Sequence, residues 1–127
     1  MAEPINRRTV AGAFVADVVC VVAFATLGRR SHAEGLTLSG IAETSWPFLA
    51  GTTVGWLLAR GWRRPTSPAP TGVVVWVCTV VVGMLLRKAT SAGTATAFII
   101  VASLTTAALL IGWRLLNRVV AQASSRR

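Results

Sequence analysis

The sequence predicts an all-α, polytopic membrane protein with four transmembrane helices. Three observations carry that prediction. Four apolar stretches are legible, about Thr9–Gly28, Leu36–Ala59, Thr71–Leu86 and Ala92–Leu116. Several approach the ~20 residues that cross a hydrocarbon core at ~1.5 Å per residue. Of the 127 residues, 54% are hydrophobic and only 13% charged, too few charges for the polar skin a small soluble domain needs. The basic residues collect at the ends of the apolar stretches, where cations meet lipid headgroups. The expected helices span about residues 9–28, 36 or 46–60, 71–88 and 92–118 of a single membrane domain, with 119–127 as a basic cytoplasmic tail.

The formal net charge of +9 would suggest nucleic acid in a soluble protein. Here no basic stripe interleaved with stacking aromatics is present, so the expected partner is the bilayer and not nucleic acid. Arg7, Arg8, Arg60, Arg63, Arg64, Arg114, Arg118, Arg126 and Arg127 fall on one side of the four-helix topology, and Arg29, Arg30, Arg87 and Lys88 on the other. Because the cytoplasmic side carries the excess, both termini are expected in the cytoplasm of a plasma-membrane protein. Arg7-Arg8 followed by an apolar run also resembles a cleaved export signal, but the run is longer than a usual signal core and carries an acid in its middle.

That acid is Asp17, in "AFVADVVCVVAFA" (13–25). It lies near the middle of the first helix, where an ionised carboxylate costs about 2.5–3.5 kcal/mol or more unless it is protonated or meets polar partners. Gly12, Ala16, Cys20 and Ala23 form a small-residue row beside it, spaced for close helix approach. The first loop, "GRRSHAEG", holds the only histidine, His32. With Arg29 and Arg87 it forms a predicted outer charged cluster.

The second helix is expected to be irregular. In "AETSWPFLAG" a Ser precedes Trp46-Pro47, and proline in the first turn after such a cap is a start signal. The membrane helix then begins near Trp46, leaving Leu36–Thr44 as an interfacial or re-entrant segment. "GTTVG" supplies Gly51 and Gly55 at the GxxxG spacing of packed membrane helices. The loop "GWRRPTSPAPTG" (61–72), with three prolines, reads as an extended cytoplasmic linker.

On the third helix Gly72, Trp76, Thr79, Gly83 and Arg87 follow three- and four-residue steps, so they share one face amid valines. Gly72 and Gly83 are packing positions. Trp76 is too deep for the interfacial belt where tryptophan collects, and a buried indole N–H needs an acceptor. The expected bond runs from Trp76 Nε1 or Thr79 Oγ1 to Asp17, in preference to an Asp17–Arg87 salt bridge. The fourth helix places Thr96, Ser103 and Thr106 roughly on one face, with hydroxyls expected to bond their own backbone. Ser103 joins Asp17, Trp76 and Thr79 in the predicted intramembrane polar site. Trp62 and Trp113 read as cytoplasmic belt residues and Trp46 as the outer counterpart.

The halves echo each other. A shift of 58 residues lays "VVCVVAFATLGRR" (18–30) over "WVCTVVVGMLLRK" (76–88), and "GWLLAR" (55–60) resembles "GWRLLNR" (112–118) with Arg114 as an apparent insertion. Two parallel helical-hairpin repeats, about 9–60 and 71–118, are therefore expected. The counterpart of Asp17 is Val75, so the duplication is asymmetric at that level.

Taken together, "FVADVVCVVAFATLGRRSH", "WPFLAGTTVGW", "TGVVVWVCTVVVGMLLR" and "GTATAFII…GWR" resemble a family of small actinobacterial and haloarchaeal integral membrane proteins, domain of unknown function 3054. The resemblance covers about residues 9–116. It implies a fold class and no particular activity. Small fluoride channels share the length and helix number but not the motifs.

Cys20 and Cys78 both lie in apolar runs and form no metal or redox spacing. Asp17, Glu34 and Glu43 are scattered, without a nucleophile–base pair or metal set, so neither an enzyme nor a cofactor is expected. The best reading is a transporter or channel for a small solute, ion or proton, with Asp17 as its midplane carboxyl. A homodimer would complete the pathway. The alternative is a non-catalytic accessory subunit whose polar residues specify assembly with a membrane-protein partner.

Overall fold

A computed structural model describes residues 6–31, 37–90, 92 and 94–125. Its elements are α1 (Arg7–Ser31), α2 (Leu38–Ala59), a kinked turn (Pro68–Gly72) in which Ala69 is extended, α3 (Val73–Ala89) and α4 (Thr96–Ser125). Arg7–Gly28, Pro68–Ala89 and Thr96–Ser124 are long and apolar enough to cross a membrane. So three helices, and not four, meet that measure. α2 falls short because Ser39, Glu43, Thr44, Ser45, Thr52 and Thr53 dilute its apolar residues.

Local chemistry sets the helix ends. Asn6 Oδ1 accepts from the backbone N–H groups of Arg8 and Thr9 and so caps α1. Thr37 has extended φ/ψ and its Oγ1 accepts from Gly40 N at 3.0 Å, which starts α2 eight residues before the Trp46-Pro47 step. α2 is consequently one continuous helix with Pro47 inside it, not a short helix preceded by a separate segment. Arg60, in the left-handed region at φ 52°, ends α2, and Gly61 N donates to Trp56 O. A Cβ on Gly61 would stand 2.5 Å from the Trp56 ring, so only glycine fits there.

Each helix buries a row of residues four apart. The rows are Ala13, Asp17, Val21 and Ala25 on α1, and Phe48, Thr52 and Trp56 on α2. On α3 the row is Val75, Thr79 and Gly83, and on α4 it is Ala102, Thr106, Leu110 and Arg114. Rows of this kind are the ridges along which helices pack. The small-residue row beside Asp17 is a contact face only in part: Cys20 Sγ donates to Leu109 O on α4 at 3.7 Å, whereas Gly12 is exposed and open and Ala23 is exposed.

α2 and α3 are the most intimate pair. A Cβ on Gly51 would stand 2.4 Å from the Cys78 carbonyl oxygen, and one on Gly55 would stand 2.7 Å from Val75 Cα. Thr52 and Thr79 hydroxyls lie 2.7 Å apart across the same interface. Toward the Leu38 end of α2, Phe48 fills the space over Gly83 and meets Phe24 edge-to-face at 5.1 Å. The outward faces carry many exposed apolar side chains, among them Val15, Val19, Leu57, Leu58, Val77, Val81, Ile100 and Leu104.

Two further expectations are corrected. Segment 61–72 is not an extended linker: Gly61, Pro68, Thr71 and Gly72 are buried, and the Ala69–Pro70 bond is cis. Its apolar prolines and small residues fold it back against α4, where a Cβ on Gly72 would touch Arg114 Cδ at 3.0 Å. α4 runs on to Ser125 and not to about residue 118, so residues 119–125 are helical.

Candidate functional site: a buried ion pair between α1 and α4

Asp17 is fully buried, and so is its partner, Arg114. The guanidinium grips the carboxylate at two points, Arg114 Nη1 to Oδ1 at 2.8 Å and Nη2 to Oδ2 at 2.7 Å. Two indoles complete the shell. Trp56 Nε1 donates to Oδ2 at 2.7 Å and Trp113 Nε1 donates to Oδ1 at 2.8 Å. Each carboxylate oxygen thus accepts two N–H bonds, which matches the acceptor capacity of an ionised carboxylate.

The rest of Arg114 is also satisfied. Nε donates to Pro65 O and Nη1 to Leu110 O, both at 3.0 Å. The Trp113 ring lies 4.5 Å below the guanidinium carbon, within cation–π range. Burying two ions costs several kcal/mol each, and only a well-formed fork with further hydrogen bonds offsets that cost. Among the described residues, no buried side-chain nitrogen or oxygen lacks a partner.

The cluster draws on α1, α2, α4 and the loop through Pro65. Its level is where α2 ends and α3 begins, because Trp56 is three residues from the end of α2. α1 and α4 continue about 15 Å beyond it. Asp17 is therefore central on α1 but sits at one end of the α2–α3 hairpin.

The predicted partners of Asp17 are elsewhere. Trp76 Nε1 donates to Ser103 O on α4 at 2.9 Å. Thr79 Oγ1 bonds Val75 O and Thr52 Oγ1, both at 2.7 Å. The reason is helical phase. The inward row of α3 passes through Val75 and Thr79, which turns Trp76 about 100° aside toward α4. Thr79 lies one turn further from the carboxylate's level than Val75. Ser103 meets Trp76 through its backbone carbonyl and is not among the partners of Asp17, while Thr106 Oγ1 donates to its own backbone at Ala102 O.

Of the outer charged cluster, His32 lies outside the described residues, as does the side chain of Arg29. Arg87 places its guanidinium carbon 4.6 Å over the Phe98 ring. Trp113 is not a belt residue, because its indole is committed to Asp17.

Two cavities flank the ion pair along the α1–α4 seam. One, of about 780 Å³, lies beyond the pair toward Asn6 and Gln122; Thr9, Arg63, Arg64, Asn117 and Arg118 are among its lining. The other, of about 470 Å³, is apolar and lined by Phe24, Leu27, Phe98 and Val101 among others. Asp17 falls between them along α1, and Arg114 falls between them along α4.

No curated protein and no solved structure matches the chain. The family described as "Protein of unknown function (DUF3054)" matches residues 14–117, a span that holds Asp17, Trp56, Trp113 and Arg114. The chain belongs to that family.

Proposed function

We propose that the protein is a polytopic membrane protein that passes a small solute or ion along the α1–α4 seam, with the Asp17–Arg114 pair as the closure. One observation carries the reading: a cavity lies on each side of the buried pair, on the same two helices. Passage requires the fork to part, which costs several kcal/mol unless an incoming group replaces one partner. A guanidinium held by a carboxylate is suited to such an exchange, because another oxyanion offers it the same two acceptors. Asp17 is then a counter-ion to Arg114 and not an isolated proton carrier.

In this reading α2 is a fourth span. It exposes Trp46, Leu57 and Leu58 outward and lies flush against α3. Four crossings put both termini on one side, the cytoplasmic side of the plasma membrane by the distribution of arginines. The paired roles of Trp56 and Trp113, one donor to each oxygen, fit two hairpin repeats that share the "GW" step. A homodimer supplies the enclosure that four helices alone do not.

The apolar cavity favours a second reading. Ile100 and Leu104, next in sequence to its lining residues Val101 and Thr105, are exposed, and such an apolar surface fits a helix of a larger membrane complex, with this chain as an accessory subunit. Reconstitution decides between the two. Flux of anions or cations in proteoliposomes that changes in Arg114→Gln supports the seam. Absence of flux together with one stoichiometric co-purifying membrane protein supports the accessory role.

A further inference from the structure

We infer that the cavity between the start of α1, the loop at 61–67 and the end of α4 binds a phosphate-type oxyanion, free or as a lipid headgroup. Three arginines line it, Arg63, Arg64 and Arg118, together with the polar residues Asn6, Asn117 and Gln122. Among the described residues, none of those that line it is acidic. Among the described residues the acids are Asp17 and Glu43. Asp17 is consumed by Arg114, and Glu43 sits about 24 Å along α2 from its Ala59 end.

Three like charges around one space of about 780 Å³ repel one another, and an anion relieves that repulsion while accepting their hydrogen bonds. Arginine matches phosphate oxygens through its planar fork, where lysine offers a point charge. Location adds to the chemistry. The cavity opens at the end of the bundle where α1 and α4 outrun the α2–α3 hairpin, beside exposed Leu115, Leu116, Val119 and Val120 on α4. An acyl chain can lie on those residues while its headgroup reaches the arginines, and a free oxyanion can enter the same mouth from water.

This inference deepens the seam reading, since the cavity is one of its two chambers, but binding is read at equilibrium and without flux. Silent flux with intact binding therefore overturns only the seam reading. The test uses the full chain purified in a neutral detergent. Inorganic phosphate is titrated by calorimetry, and retention of phosphatidylglycerol against phosphatidylcholine is read by native mass spectrometry. The variants are R63Q/R64Q/R118Q and the control R7Q/R8Q, which removes exposed arginines outside the cavity.

Saturable phosphate binding that weakens roughly tenfold or more in the triple variant and persists in the control identifies a free oxyanion. Selective retention of phosphatidylglycerol, lost in the triple variant alone and without phosphate binding, identifies a headgroup. Equal loss in the control, or no selective binding of either probe, overturns the inference. Melting curves run alongside report folding, and R118Q, a single exposed position, repeats the comparison should the triple variant misfold.

Discussion

Asp17 and Arg114, 97 residues apart, meet as a two-point ion pair with contacts of 2.8 and 2.7 Å and no exposure of either side chain. This relationship joins the first and last helices of the bundle. It also explains the two tryptophans beside it, since each indole fills an acceptor site that the guanidinium leaves open.

Removing one indole donor should therefore be costly out of proportion to its size. Trp56→Phe and Trp113→Phe each leave a carboxylate oxygen one donor short, a loss of about 1–3 kcal/mol. Trp56→Phe should be the more damaging, because Trp56 is buried and also packs edge-to-face on Phe14 at 5.4 Å. Denaturant unfolding in mixed micelles measures both, and equal tolerance of the two would argue against the indole shell.

Glycine substitutions should divide sharply by position. Gly51→Ala drives a methyl group into the Cys78 carbonyl and Thr79 backbone, an overpacking penalty of about 1–3 kcal/mol or more. Gly12→Ala meets nothing within 4 Å and should gain up to about 1 kcal/mol of helix propensity. Melting temperatures of the two variants, measured side by side, should move in opposite directions.

The proposed fourth crossing, by α2, has its own test. In a background with Cys20 and Cys78 replaced by alanine, an impermeant maleimide should label Arg63→Cys from the same face as a C-terminal cysteine. Ser39→Cys should label from the opposite face. Labelling of Arg63→Cys and Ser39→Cys from one face would show that α2 does not cross.

The helices were legible because hydrophobic runs and flanking charges mark spans whatever their tertiary contacts. The start of α2 was not, because Thr37 and Ser45 offer equivalent caps and Pro47 is tolerated inside the helix. Asp17 stood out as an acid in an apolar run, but its partner did not. An arginine near the end of such a run reads the same whether it reaches outward to headgroups or turns inward. The signal that separates the two is phase: Arg114 continues the four-residue row of Ala102, Thr106 and Leu110, whereas Arg118, one step further, is exposed and lines the basic cavity. Matching the "GW" steps at 55–56 and 112–113 raised the expectation of a duplication and did not reveal that both indoles converge on one carboxylate. That convergence depends on how the helices rotate about their axes, which no local pattern specifies.

The most direct test of the central claim is a double-mutant cycle on the pair, with Asp17→Asn, Arg114→Met and the double variant compared by reversible unfolding in micelles. Each single change strands one buried partner and should cost about 3–5 kcal/mol. The double variant should recover most of that loss, since neither ion remains to be buried alone. Additive losses would contradict the account and show that Asp17 and Arg114 act independently.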